Sequence, residues 1–156
     1  MKKILLSLLL LVSIVAFAVP QKKKIRKAKQ KEVITKIEYE NFARRGRTEI
    51  TITKDSAISI GKTDKKYILI TPAKWDELLR TLKTIKLTSI PTWQSPTKQR
   101  EVDGASHCKI TVSTKANRYE SQYFDGGKPM KQLQALYDAI EGIRNDIDSN
   151  GKQCGQ

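Results

Sequence analysis

The sequence predicts an α+β fold in which two amphipathic helices pack on one face of an antiparallel sheet of about six strands. Several short segments alternate apolar and polar residues with period 2, which is the pattern of half-buried strands. The spacing changes twice to the 3.6-residue period of a helix, which gives the order ββββα-ββα. Strands in successive hairpins pair antiparallel, and two helices can cover one face of the sheet that they form.

The first half of the folded region contains four predicted strands and one helix. Apolar residues alternate with charged or hydroxyl-bearing residues over 33–42 and 48–53, and two shorter strands are predicted over 57–60 and 67–71. A helix is then predicted to begin at Pro72, because the Thr71 hydroxyl can cap it and a proline needs no N–H in the first turn. The predicted helix places these apolar residues on one side: Trp75, Leu78, Leu79, Leu82 and Ile85.

The second half repeats the change from strand to helix after an irregular loop. The segment 90–104 has two prolines and little periodicity. A hairpin of strands is predicted over 108–112 and 118–124, and Pro129 opens a second helix that stops at Gly151. Its apolar face consists of Met130, Leu133, Leu136, Tyr137, Ile140, Ile143 and Ile147.

The amino-terminal segment has the organisation of an export signal. Lys2 and Lys3 precede an uncharged run over 4–18, and this run ends with small residues at Ala16 and Ala18, the two positions that a signal peptidase reads. A spanning helix needs about 20 apolar residues, so an uncleaved anchor is the alternative and cleavage after Ala18 is expected. The protein is then periplasmic or extracellular, with no transmembrane span after processing.

The rest of the chain divides into three predicted parts: a basic arm over 19–32, a single α+β domain over 33–150 and a tail over 151–156. The chain has 30 Lys and Arg against 16 Asp and Glu. The arm is expected to be disordered and to touch an anionic envelope component or the membrane surface, and the alternative is a solvated linker. Seven cations lie in it: Lys22, Lys23, Lys24, Arg26, Lys27, Lys29 and Lys31.

Few residues are available for metal binding or covalent chemistry. Cys108 and Cys154 are the only cysteines, and export permits either a disulfide between them or two free thiols. Two cysteines and one histidine exclude most zinc modules, so we expect no metal and no cofactor.

Catalytic residue types meet in one segment, over 103–108, which contains Asp103, Ser106, His107 and Cys108. His107 and Cys108 are neighbours on a predicted strand and so point to opposite faces. They cannot form the hydrogen-bonded pair that an activated cysteine requires. An Asp-Gly turn explains the segment without catalysis, and the sequence predicts a protein that is not an enzyme.

Two segments are candidate binding sites. In the loop over 90–104, Trp93, Lys98 and Arg100 are residue types suited to an interface, although Trp93 could instead fill the core. The turn between the first two strands carries three further cations, Arg44, Arg45 and Arg47.

The run Ser-Gln-Tyr-Phe-Asp-Gly-Gly-Lys-Pro over 121–129, followed by an amphipathic helix, is similar to small bacterial α+β domains of the emfourin-like kind. The hairpin over 42–46 also resembles their first turn. The resemblance implies an α+β fold and inhibition of metalloproteases. The chain departs from that pattern in the loop over 91–104 and in its two cysteines.

These patterns favour an exported, non-catalytic module that binds a protein or an anionic envelope component. The alternative that the resemblance implies is a secreted protease inhibitor. A third alternative is a small envelope enzyme that uses the segment 103–108. Export makes a specific nucleic acid an unexpected partner.

Overall fold

The computed structural model describes residues 32–44, 46–102 and 104–154. The predicted signal peptide and nearly all of the basic arm lie outside the described residues. Within the described part the chain is α+β, and every strand pairing is antiparallel, so the predicted fold class is confirmed at this level.

The sheet has more strands than the six expected. The strands are β1 (Ile34–Ala43), β2 (Gly46–Ile52), β3 (Ser56–Ile60), β4 (Lys65–Leu69), β5 (His107–Thr114), β6 (Arg118–Glu120), β7 (Phe124–Asp125) and β8 (Lys152–Gln153). Their order in the sheet is β6-β5-β1-β2-β3-β4-β8, and β7 also pairs with β5. Strand β7 begins at the end of the strand predicted over 118–124, β8 lies in the predicted tail, and each is two residues long.

The two longer helices and the inward face of the sheet share one core. The helices are α1 (Pro72–Lys83), the single-turn α2 (Gln99–Val102) and α3 (Gln134–Asn150). Ile37, Tyr39 and Ile50 supply the sheet side of the core, while Leu78 and Ile140 supply the helix side. None of the helices in the described ranges is long and apolar enough to cross a membrane.

Helix α1 begins as predicted. The Thr71 hydroxyl accepts a hydrogen bond from the backbone N–H of Lys74, and Pro72 occupies the first turn. The helix ends at Lys83, two residues before Ile85, and a 3₁₀ turn over Leu87–Thr92 follows. The loop predicted over 90–104 therefore begins inside this 3₁₀ turn and also contains α2.

The predicted second strand of the last hairpin is interrupted. The backbone N–H of Ser121 donates to Ile110 O at 2.9 Å, and Ile110 N–H donates to Ser121 Oγ at 3.1 Å. A side-chain hydroxyl thus takes the place of a backbone carbonyl in the ladder. The chain leaves β6 at this point and rejoins β5 only at β7.

Helix α3 starts later than Pro129. Met130 has extended backbone angles and is 2% exposed, so the chain first buries this side chain in the core. A 3₁₀ turn over Lys131–Leu133 then leads into α3. The helix ends at Asn150, where the sequence places Gly151 as a stop.

Part of the predicted tail is a strand, because β8 pairs with β4 at the edge of the sheet. Cys154 follows β8 and donates its N–H to Lys65 O at 2.8 Å. Cys108 lies on β5, four strand spacings from β4 and thus about 19 Å away. A disulfide requires Cα atoms within about 7 Å. Both residues lie in the described part of the chain and are free thiols, so the disulfide alternative is wrong.

Candidate binding surface

The topology gathers several predicted binding residues at one end of the sheet. The β1–β2 turn lies at this end, and Gly46 adopts a φ of 145° in it, which a side chain would disfavour. The first residue of β5, His107, pairs with Phe42 near the end of β1. It also pairs with Asp125 of β7. Arg44 in the turn and Arg47 on β2 are thereby brought close to the start of β5 and to β7.

Three aromatic rings lie together on the sheet face that the helices leave open. The centroids of Phe42 and His107 are 6.3 Å apart, and those of His107 and Tyr123 are 6.1 Å apart. Phe42 is 56% exposed and Tyr123 is 44% exposed. We call these three residues the aromatic surface. With Glu40 and Arg47 they line an open recess of about 360 Å³.

Charged side chains hold the border of the aromatic surface in place. Arg47 bonds Glu40 at 3.1 Å and Glu49 at 2.8 Å. Lys109 reaches the second oxygen of Glu40 at 3.3 Å, and its ammonium lies 5.5 Å from the centroid of the Tyr123 ring. This cation on the ring face is the geometry of a cation–π contact. The carboxylate of Glu40 is thus shared between two cations.

Paired charges cover the open face of the sheet over β6, β5 and β1, next to the aromatic surface. Arg118 on β6 contacts Glu38 on β1 at 3.6 Å and Glu120 at 2.7 Å. Lys109 on β5 also contacts Glu120 at 3.6 Å. Ion pairs therefore run across four neighbouring strands and end at the aromatic surface. Because these charges are matched, the distinctive features of this end are the aromatic surface and Arg44, which has no acidic partner among the described residues.

A buried carboxylate ties the loop to this end of the sheet. Asp125 is 1% exposed and accepts hydrogen bonds from Gln99 N at 2.8 Å and Arg100 N at 2.9 Å. It also accepts from the Thr97 hydroxyl and from the Arg100 guanidinium, the latter at 3.1 Å. The loop segment 97–100 is consequently fixed against β7.

The hydrogen bonds decide the charge of this carboxyl. Burial by itself raises the pKa of Asp125, but the hydrogen bonds from Thr97, from the backbone of Arg100 and Gln99 and from the Arg100 side chain outweigh it. The pKa of Asp125 is therefore held well below its ordinary value, and the group is ionised at neutral pH. It stabilises the loop as an anion.

The predicted loop residues have different environments. Arg100 is 13% exposed, and its guanidinium is engaged with Asp125, Ser95 and the Thr97 carbonyl. Trp93 is partly buried and packs against the core. Lys98 is exposed. The loop therefore presents Lys98 to solvent while its other two predicted binding residues are engaged inside the fold.

The predicted arginine cluster is only partly described. Arg44 is exposed in the turn and has no acidic partner within the described residues. Arg47 is exposed but paired, as described above. Arg45 lies outside the described residues, as do Lys22, Lys23, Lys24, Arg26, Lys27, Lys29 and Lys31 of the arm.

The segment with catalytic residue types is split between the two faces of β5. Cys108 is fully buried on the core side, where Tyr39 Oη lies 3.2 Å from its sulfur. Burial raises the pKa of the Cys108 thiol, which keeps it protonated. His107 lies on the open face among aromatic rings, and Asp103 is outside the described residues. The geometry offers no cysteine–histidine pair.

Within residues 32–44, 46–102 and 104–154, no group of three or more His, Cys, Asp and Glu side chains could hold a metal ion.

Three residues at this end were not selected from the sequence. Phe42 continues the alternation of β1 on the same side as Glu38 and Glu40, so its outward position could have been read from the pattern. Tyr123 and Asp125 offered no comparable signal, because the break at Ser121 changes the alternation before them.

The chain matches no protein-family model, no curated protein and no solved structure. The resemblance to emfourin-like domains therefore stays a prediction, and the candidate function depends on the surface geometry.

Proposed function

We propose that the protein is an exported, non-catalytic module that binds a protein partner through the aromatic surface. The observation that carries this proposal is the cluster of Phe42, His107 and Tyr123, two of whose side chains are about half exposed. Aromatic side chains and arginine dominate the energetics of protein interfaces. Arg44 and Arg47 lie in the adjoining turn and strand, so both residue types occur together here.

The arrangement suits binding because it is fixed before a partner arrives. Phe42 is held by the β1–β5 register, and Arg47 is held by its ion pairs with Glu40 and Glu49. A preorganised surface loses little conformational entropy on association. A partner would cover the rings, and its acidic groups would complement Arg44 and Lys98. Charges at the rim mainly raise the association rate, so binding should weaken with salt.

The basic arm adds a second, less specific contact to this proposal. Seven cations over 22–31 can attract an anionic envelope component by counterion release. Such contact would concentrate the protein at a membrane surface without inserting into it. The arm would determine where the protein is held, and the aromatic surface would determine which protein it binds.

The test is capture of partners from envelope fractions by purified wild type and two matched variants. Phe42→Asp places a charge in the aromatic surface, whereas Leu69→Asp makes the same change at an exposed residue at the other end of the open face. We expect Phe42→Asp to lose about 2 kcal/mol of binding, hence more than tenfold in affinity. Leu69→Asp should bind as wild type does. Equal capture of partners by all three proteins would exclude the aromatic surface as the binding site.

A secreted protease inhibitor is the second candidate, and one observation favours it. The β1–β2 turn presents Arg44 to solvent from a hairpin whose strands pair at seven positions. An exposed side chain at the end of a rigid pair of strands can enter a protease cleft at low entropic cost. Inhibition of secreted metalloproteases or serine proteases at micromolar concentration, lost in Arg44→Ala, would support this candidate. If none of these proteases is inhibited, the inhibitor function is excluded. This result would not change the interpretation of the capture experiment.

A further inference from the structure

A large apolar groove lies at the opposite end of the sheet from the aromatic surface. Its volume is about 960 Å³, which is at the upper limit of the range that small-molecule sites occupy. Helix α1 forms one wall, and the start of β1 and the β2–β3 turn form others. The apolar lining includes Ile34, Trp75, Leu79, Leu82, Ile85 and Leu87.

Backbone hydrogen bonds fix the wall formed by the start of the described chain. Lys115 N–H donates to Val33 O at 3.1 Å, and the Thr35 hydroxyl donates to Ser113 O at 3.2 Å. Thr53 N–H donates to Ser56 O at 2.8 Å across the β2–β3 turn. The groove is therefore bounded by secondary structure and by a closed turn, so it is largely preformed.

Cations are in excess among the groove's charged lining residues. Three lysines line it, namely Lys54, Lys83 and Lys115, against the carboxylates of Glu32 and Asp55. Glu32 already accepts the Tyr119 hydroxyl, with its two oxygens at 2.7 and 2.9 Å.

The remaining charges leave two ammonium groups for a ligand. Asp55 is 77% exposed and lies 3.8 Å from Lys54. Lys83 and Lys115 form no ion pair with any described residue. An apolar groove bordered by such cations matches a ligand that has a hydrocarbon body and an anionic head.

We propose that this groove binds an anionic amphiphile, a single acyl chain with a carboxylate or phosphate head. The chain would lie along Leu79 and Leu82 against the Trp75 ring, and Lys83 and Lys115 would receive the head. Ile34 and Phe42 are eight residues apart on β1, so the groove and the aromatic surface are separated by about 26 Å. The proposal therefore goes beyond the binding of a protein partner.

Tryptophan fluorescence gives a direct test, because the chain has two tryptophans and only Trp75 lines the groove. In Trp93→Phe, Trp75 is the only fluorophore of its kind. We expect bromostearate, added below its micelle concentration, to quench this fluorescence, because bromine quenches at contact. A brominated lysophosphatidate tests the phosphate head. Quenching by one probe or by both supports the proposal and identifies the source of the anionic head.

Three controls distinguish a specific site from general adsorption. A brominated alkyl chain with a trimethylammonium head should quench about tenfold less effectively, because its head repels the two lysines. The anionic probes should likewise quench the variant Lys83→Glu/Lys115→Glu about tenfold less effectively, because its two glutamates repel an anionic head. Lys131→Glu, which changes an exposed lysine outside the groove, should bind as Trp93→Phe alone does. All variants are made in the Trp93→Phe background, and circular dichroism confirms that they fold.

Three results would overturn the proposal. The first is no quenching by either anionic probe. The second is equal quenching by the cationic probe, and the third is unchanged affinity in Lys83→Glu/Lys115→Glu. Phe42→Asp should leave quenching unaltered, so failure here does not affect the proposed protein partner.

Discussion

Asp125 is the residue on which the geometry of the loop most depends. It is an almost fully buried anion that accepts hydrogen bonds from Thr97, Gln99 and Arg100. Removing its charge leaves the Arg100 guanidinium, itself 13% exposed, with only the exposed carboxylate of Glu101, 3.7 Å away, as a counterion. Breaking such a buried pair from one side costs far more than losing a surface ion pair.

We predict that Asp125→Asn lowers the free energy of unfolding by about 3 kcal/mol at pH 7, measured by urea denaturation. Asp55→Asn, which changes an exposed carboxylate, should stay within about 0.5 kcal/mol of wild type. An equally small effect of Asp125→Asn would contradict the anchoring role of this carboxylate.

The stability difference between wild type and Asp125→Asn should also depend on pH. The pKa of Asp125 is lower in the folded protein than in the unfolded chain, so its stabilising contribution is complete above the unfolded pKa of about 4. It is lost as the pH falls from there through the folded value. The stability difference between wild type and Asp125→Asn should therefore narrow between pH 7 and pH 3. A difference that stays constant over this range would contradict the lowered pKa.

The two thiols should differ in reactivity. Cys108 is fully buried with a raised pKa, whereas Cys154 is partly exposed beyond β8. A maleimide should label one thiol in the native protein at pH 7, at Cys154, and two thiols after unfolding. Mass spectrometry of the labelled peptides identifies the site. A protein that gains no label even when unfolded would contain the disulfide that the structure excludes.

Among the secondary-structure elements, the hairpin that β5 forms with β6 and β7 is the one whose interruption depends on a single side chain. Ser121 is buried and replaces a ladder carbonyl for Ile110 N–H. We predict that Ser121→Ala costs about 1–3 kcal/mol, because a buried N–H loses its acceptor. Ser121→Thr keeps the hydroxyl and should cost less. Thermal unfolding that ranks the two variants in the opposite order would contradict this role.

Local patterns predicted the long elements, and long-range contacts determined the rest. Helix α1 and strands β1 and β2 follow from their periodicity and from the Thr71 cap, because those signals are contained in adjacent residues. The interruption at Ser121 and the late start of α3 depend on Ile110 and on the core that buries Met130, which are remote in sequence.

In the candidate site, too, some residues follow from local sequence patterns and others depend on long-range contacts. Arg44 and Arg47 could be selected as exposed cations from the sequence alone, although Arg47 lies on β2 and not in the turn. The anchoring of Arg100 depends on Asp125, which lies 25 residues further along the chain. No local pattern signals such a contact, so a residue chosen for binding proved to be engaged inside the fold.

For the whole molecule, the two proposed surfaces lie at opposite ends of one sheet, and both are proposed to act outside the cytoplasm. Export predicts a mature chain that begins at Val19. Ala18→Phe should block cleavage, because the peptidase reads small residues, and Phe17→Leu between the two alanines should be processed normally. Intact-mass measurement of the protein from the producing cells checks both. A wild-type mass that still includes Met1 would contradict export with cleavage.

Site-specific photo-crosslinking in cells that express the protein tests whether the aromatic surface meets a partner. A benzoylphenylalanine is placed at Phe42 in one variant and at Leu69 in another, both exposed apolar positions of the described sheet. We predict a discrete adduct of higher mass from position 42 and none from position 69. Adducts of equal yield at both positions, or none at position 42, would contradict binding through the aromatic surface.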